Sequence, residues 1–309
     1  MNYQEDLDIL SGQIVDRIDE SLASAKESSL AGVLGLADEK IMHSDERETV
    51  YSEMDQMQTV SESQQYPEFN PSKLGEVAPD AQIKALKIRV TKKLLSYGIG
   101  KEFAETKARE FVRAYLNTEN TLLTNIFTYG NTSAYPTYDS VPLFSTSHTI
   151  RGGTQSNLIT TPMSQGSLEE LETLLLELKN YEGNPYEISG ADICLMVGPR
   201  LWHKAIKLTE STQEAFTSDN QVNALAKVFT GGKYTVILNR RINGSFQNDY
   251  FLMDRATMNS YGMLKRKHEW QFDISDWEKD GDSGFVKTAD YSADFLVKMY
   301  QFAAAGKPV

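Results

Sequence analysis

The chain has 309 residues, 40% hydrophobic and 24% charged, which suits an ordinary globular protein with room for two compact domains. No apolar run approaches the ~18 residues that a membrane-spanning helix needs, and the acidic start M-N-Y-Q-E-D-L-D is unlike the basic, then apolar, opening of a signal peptide. The single cysteine, Cys194, excludes an intrachain disulfide and fits a reducing cytoplasm, and a net charge of −12 argues against a dedicated nucleic-acid binder.

That charge is localised. Residues 1–70 hold sixteen acids against Arg17, Lys26, Lys40 and Arg47, and the remainder holds 27 acids and 27 bases. An acidic segment therefore precedes a neutral body. Leu7, Leu10, Ile14, Ile18 and Leu22 mark an amphipathic helix, with Asp8, Asp16, Asp19 and Glu20 among its polar positions. A Ser/Ala/Gly-rich connection follows over 21–37. The helix either folds onto its own domain or extends as an arm onto a neighbouring subunit. Its charge and the lack of an evident local partner favour the arm, so Leu7, Leu10, Ile14 and Ile18 are expected to be assembly contacts.

Residues 46–57 read E-R-E-T-V-Y-S-E-M-D-Q-M, with β-favouring Thr49, Val50 and Tyr51. A polar stretch over 60–79, punctuated by Pro67, Pro71, Gly75 and Pro79, reads as a long loop. In 83–91, Leu86, Ile88 and Val90 alternate with Lys87 and Arg89, as in a half-exposed strand. Two strands around a long tip predict a projecting hairpin. Glu46, Glu48, Glu53 and Asp55 would then face Lys84, Lys87 and Arg89, each such pair contributing roughly 0.2–1 kcal/mol, and these charged residues too are expected to be assembly contacts.

Gly98 and Gly100 precede a long helical pattern over 102–129, ~40 Å at 1.5 Å per residue and without a sustained heptad. Residues 135–139 form an aromatic loop. A second helix is predicted from an S-x-x-E capping box at Ser167 and Glu170, carried by Leu168, Leu171, Leu175 and Leu178 and closed by Gly183. Residues 193–197 form an apolar run between Gly190 and Gly198-Pro199, which predicts a strand buried on both faces. Helices are expected at 201–208 and 222–229. Strands at 234–238 and 250–253 are expected to pair through an Asn243-Gly244 turn. Further strands are expected at 265–274 and within 285–304, joined by a turn-rich 276–284.

No catalytic pattern in the sequence is complete. The four histidines, His43, His148, His203 and His268, are scattered, with no zinc-ligand spacing and no second cysteine. Cys194 has apolar flanks, as a buried strand cysteine would. Ser145, Ser147 and His148 cluster without a G-x-S-x-G elbow. Gly231-Gly232-Lys233 lacks the first glycine and the hydroxyl of a phosphate loop. Asp276, Glu278, Asp280 and Gly281 imitate a calcium loop, but its twelfth position is Lys287 rather than Glu. No catalytic residue, cofactor or metal is expected. A soluble hydrolase using Ser147-His148 or Cys194 is the rival from another class.

The segment P-L-F-S-T-S-H, with Ser156-Asn157-Leu158, a leucine-rich helix and a strand ending in G-P-R-L-W, resembles the major head subunit of Mu-like phages. More broadly it resembles the Hong Kong 97-type phage capsid proteins. The resemblance implies an α+β capsid fold with an N-terminal arm at 1–45 and an extended E-loop hairpin at 46–97. It further implies a peripheral domain at 98–160 and 255–309, built on the spine helix 102–129, and an axial domain at 161–254. The chain opens at Met1, so no large cleaved scaffolding segment is expected. The implied function is self-assembly into hexamers and pentamers of an icosahedral shell. That shell would enclose genome DNA without specific binding, with portal, decoration or scaffolding proteins as partners. Virions, and the host cytoplasm during assembly, are the implied locations. A nanocompartment shell of the same fold, loaded with a cargo enzyme, is the nearest alternative.

Overall fold

The structure is a computed structural model that describes residues 3–41, 46–53, 60, 65, 66, 68, 70–80, 82–96, 100–186, 192–210, 234–281 and 284–308. In chain order the elements begin with α1 (Tyr3–Ser28), α2 (Leu30–Leu34), β1 (Asp38–Lys40), β2 (Glu48–Tyr51), β3 (Lys73–Val77) and β4 (Gln82–Thr91). Then come α3 (Lys92–Ser96), α4 (Gly100–Thr128), β5 (His148–Ile150), β6 (Gly153–Gln155), β7 (Leu158–Ile159) and α5 (Gln165–Leu176). The chain continues with β8 (Ile193–Val197), α6 (Pro199–Glu210), β9 (Tyr234–Leu238), β10 (Tyr250–Asp254) and α7 (Arg255–Ser260). It closes with β11 (Leu264–Ile274), β12 (Glu278–Asp280), β13 (Gly284–Val297) and β14 (Ala303–Gly306). These elements form two compact units. One comprises Met1–Glu46, Pro79–Leu123 and Arg266–Phe295, the other Arg47–Ala78, Thr124–Lys265 and Leu296–Val309.

The first unit is a sheet in the order β1-β11-β13-β12, with β4 also paired to β13. β4 runs antiparallel to β13 through ten consecutive register pairs, from Gln82 opposite Ala293 to Thr91 opposite Gly284. The core explains α1. Leu10, Ile14 and Ile18 lie four residues apart on one helix face and are buried. They pack with Ile88 and Val90 of β4, with Ala108, Phe111 and Val112 of α4, and with Ala289 of β13. The expected arm is thus corrected: this helix spends its apolar stripe on its own domain. Two observations show why its charge misled. Residues 3–28 carry seven acids and two bases, whereas 82–113 of the same unit carry nine cations and three acids. The acidic helix already has basic company in its own chain. Beyond it, Ser29 caps α2 by accepting from the Gly32 N–H, and the Leu30 N–H donates to Asn120 Oδ1 of α4.

In the second unit the sheet order is β7-β14-β10-β8-β9. Every residue of β8 and β10 is buried, as the apolar runs predict. β8 pairs β9 in parallel and β10 antiparallel. The expected hairpin between β9 and β10 is therefore wrong: β8 lies between them, and Asn243-Gly244 opens a short 3-10 turn instead. β14 is all small residues, Ala303, Ala304, Ala305 and Gly306, all buried beside β10. A Cβ at Gly306 would overlap the Tyr250 ring, whose hydroxyl donates to the Thr161 carbonyl at 3.0 Å. The C-terminal run at 285–304 holds parts of two strands, β13 and β14, and the second of them joins the β8–β10 sheet.

Two helix limits also differ from expectation. Ser164, not Ser167, caps α5: its Oγ accepts from the Ser167 N–H, and Ser167 Oγ accepts from the Ser164 N–H at 2.7 Å. Ser167 does at the third position what a Glu commonly does. The helix ends at Leu176, and Gly183 uses its positive φ in the following turn, where its N–H donates to Asn180 O. The long helix agrees with its pattern, at 29 residues. The helix expected at 222–229 lies outside the described residues.

Candidate functional site

For a chain expected to act through its surfaces, the informative geometry is where the predicted contact residues fall. Leu10, Ile14 and Ile18 belong to the core above, and Leu7 shares their helix, its side chain lying outside what is described. The two strands expected to form one hairpin do not pair. β2 pairs β3, Glu48 opposite Val77, and β4 pairs β13. β2 is only four residues long and its pairing with β3 shifts register between Val50 and Tyr51, while β4 belongs to the larger sheet.

The charges follow their strands. Glu46 accepts from Lys267 Nζ at 3.1 Å. Glu48 lies 3.7 Å from both Lys265 and Lys298. Glu53 accepts from Tyr186 Oη at 2.8 Å and Asn180 Nδ2 at 3.0 Å. Asp55 lies outside the described residues. On β4, Lys84 donates to Gln82 at 3.0 Å, Lys87 is exposed, and Arg89 pairs with Asp280 of β12 at 3.1 Å. Arg89→Glu is accordingly expected to be compensated by Asp280→Arg and not by Glu53→Lys. Both groups are about half exposed, so the double-mutant coupling should be only ~0.2–1 kcal/mol, read from urea midpoints.

β4 is an edge strand of its sheet, paired with β13 alone among the described residues. Its second half is core, with Ile88 and Val90 buried, whereas Ile83 and Leu86 are 61% and 45% exposed. Beside it a shallow groove of about 230 Å³ is lined by Leu86, Lys87, Ile88, Arg89, Lys107, Glu110 and Phe111. An exposed strand edge with two bare aliphatic side chains is a ready pairing surface for another chain.

The residues weighed for catalysis are committed elsewhere. His148 is fully buried, its Nδ1 2.9 Å from Asp139 Oδ2, its Nε2 3.2 Å from the Leu143 carbonyl and its ring stacked 3.5 Å from Tyr300. Neither nitrogen faces Ser147, which is exposed. Asn157 explains the neighbouring S-N-L motif. Its Nδ2 donates to the carbonyls of Leu143 and Ala303 at 2.8 and 3.0 Å, and its Oδ1 accepts from the Ser145 N–H at 2.9 Å. The motif is a clamp between loop and sheet. Burial pushes the Cys194 thiol up to about 12, the opposite of an activated nucleophile. No cluster of potential metal ligands occurs among the described residues.

Asp139 carries a pH consequence. Burial opposes its ionisation, but hydrogen bonds from His148 and Thr137 outweigh that and hold the carboxyl below its usual range. A depressed folded value means stability present above the unfolded value near ~3.9 and lost as pH falls through the lower folded one. Urea midpoints should therefore fall more between pH 5 and pH 3 for the wild type than for Asp139→Asn.

Sequence reasoning missed a buried charge cluster. Arg266 of β11 lies 3.0 Å from Glu119 of α4 and 3.2 Å from Asp38 of β1, with Tyr115 also on its guanidinium. Burial raises the Glu119 carboxyl despite the guanidinium, so desolvation outweighs the attraction. Only Glu119 sits within an apolar-periodic helix; Asp38 and Arg266 lie in the charged runs Asp38-Glu39-Lys40 and Lys265-Arg266-Lys267, which do not tell partners apart.

No family model matches the chain, and no curated protein matches it by sequence. Solved structures do match by fold. The capsid of a native GTA particle aligns at TM-score 0.54 and 11% identity, over 89% of this chain and 88% of that one. A chain of Mycobacterium phage Patience aligns at TM-score 0.55 and 11% identity, over 94% and 86%. The fold is the Hong Kong 97-like capsid fold. The capsid of an empty GTA particle aligns likewise, at TM-score 0.52 and 11% identity over 90% of each chain.

Proposed function

We propose that the chain is a major capsid protein that self-assembles into hexamers and pentamers of an icosahedral head around a phage genome. The observation that carries this reading is a capsid fold that extends over about nine-tenths of both this chain and the capsid chains it matches. The P-L-F-S-T-S-H and G-P-R-L-W segments add the finer reading of a Mu-like major head subunit. Virions are the proposed location, with assembly in the host cytoplasm and portal, decoration or scaffolding proteins as partners. Repeated heterologous contacts between identical chains close such shells. The exposed edge of β4, with Ile83, Leu86, Lys84, Lys87 and Arg89, is the proposed contact on one copy. Residues 46–78, with Glu46, Glu48 and Glu53, supply the proposed E-loop contact on the next. Sedimentation velocity over a range of concentration and salt tests the reading. Capsomers, shells or tubes are expected; a strictly monomeric intact chain would contradict it. Particles that enclose a protein cargo and never nucleic acid would favour the nanocompartment instead.

A further inference from the structure

One surface of this acidic protein is basic and is not used by the fold. On α6, Arg200, His203, Lys204 and Lys207 recur at i, i+3, i+4 and i+7 and are all exposed. The opposite side, with Leu201, Trp202, Ala205, Ile206 and Thr209, is buried or half-buried, and the helix packs on β8 and β9. Its start is fixed by a close approach: a Cβ at Gly198 would overlap the Ile242 carbonyl. Val197 and Leu238 are register partners, and Arg240, also exposed, follows two residues later. It therefore stands at the same end of the sheet as Arg200. Among the described residues no carboxylate pairs with Arg200, Lys204, Lys207 or Arg240.

We propose that this face holds the phosphate backbone of the nucleic acid that the shell encloses. The inference rests on the shell reading above. From Arg200 to Lys207 the helix rises about 10 Å, and one strand of duplex offers a phosphate about every 3.4 Å, so some three phosphates fit the row. Lysines and arginines at an exposed helix face meet phosphates as charges. A row of like charges on one helix face neutralises phosphates of any sequence, so the contact is expected to be independent of sequence. This differs from a general nucleic-acid binder, whose whole domain is basic. Here the proposed contact is the α6 row with Arg240, in a part of the chain whose overall charge is neutral.

The test uses the full-length protein and a short labelled DNA duplex of random sequence. Anisotropy is followed between about 50 and 200 mM salt. Each phosphate contact contributes about 0.9 to the slope of log K against log salt. The variant Arg200→Gln/Lys204→Gln/Lys207→Gln is expected to bind more weakly, with a slope smaller by about 2 to 3. Arg200→Lys/Lys204→Arg/Lys207→Arg should keep the wild-type slope, which separates charge from fold. Lys93→Gln/Arg109→Gln/Arg113→Gln, an equal loss of charge in the other unit, should also keep it. Equal slopes in the wild type and the α6 Gln variant would overturn the proposal, as would an equal loss in the Lys93 variant. Assembly is scored separately, in buffer free of nucleic acid. If the wild type assembles there and the α6 Gln variant does not, the face is a contact between copies and the proposal fails. If the wild type itself never assembles, it is the shell reading that fails, whatever the slopes.

Discussion

Removing residues 1–28 is expected to unfold the first unit and not merely to weaken assembly. Leu10, Ile14 and Ile18 sit at 3%, 0% and 1% exposure among Ile88, Val90, Phe111 and Ala289, so the truncation exposes the inner face of β4 and α4. Single replacements already cost heavily. Ile14→Ala or Ile18→Ala should each destabilise by ~2–5 kcal/mol, a large share of the ~5–15 kcal/mol that a domain possesses. Circular dichroism melts and urea titrations of the truncated and point-substituted chains read this directly. A truncated chain that kept an unchanged cooperative transition would restore α1 to the role of a detachable arm.

The second large effect is expected at Arg266. Its guanidinium lies within 3.0–3.2 Å of Glu119 and Asp38, at 7% side-chain exposure against 2% for Glu119. Its Nε is near the Glu119 carboxylate but its N–H is not aimed at an acceptor, so the pairing is one of charge more than of hydrogen bonding. Taking away one partner of a buried pair leaves the other desolvated and unpaired, typically at ~3–5 kcal/mol. Arg266→Met should therefore lower stability by about that amount, and adding Glu119→Gln should recover part of it. If the double variant proved additive, the two side chains would not be coupled and Tyr115 or Asp38 would carry the effect.

Much of the fold is legible in the sequence because its signals are local. The runs of β8 and β10, the length of α4 and the leucine row of α5 are each written within one element, and each element appears. What is not legible is pairing. The Asn243-Gly244 signal is the same whether the flanking strands meet each other or both meet β8. Glu46, Glu48 and Glu53 look like partners for Lys84, Lys87 and Arg89 because both sets flank one loop. Their actual neighbours, Lys267, Lys265, Lys298 and Asn180, lie more than a hundred residues away. The acidic α1 shows the same limit: its partner surface, at Ile88 and Phe111, is far along the chain, so its stripe reads as unpartnered. The basic row of α6 was visible as R-L-W-H-K-A-I-K, yet only its exposure beside a buried opposite face distinguishes it from a packed helix.

The central proposal is that this chain builds a closed shell, and electron microscopy of the purified full-length protein tests it most directly. The account predicts isometric particles or sheets in which sixfold and fivefold capsomers can be averaged, formed by this chain without any partner enzyme activity. Dispersed single molecules at every concentration and salt, from protein whose intact mass and cooperative melting show it to be whole and folded, would contradict it.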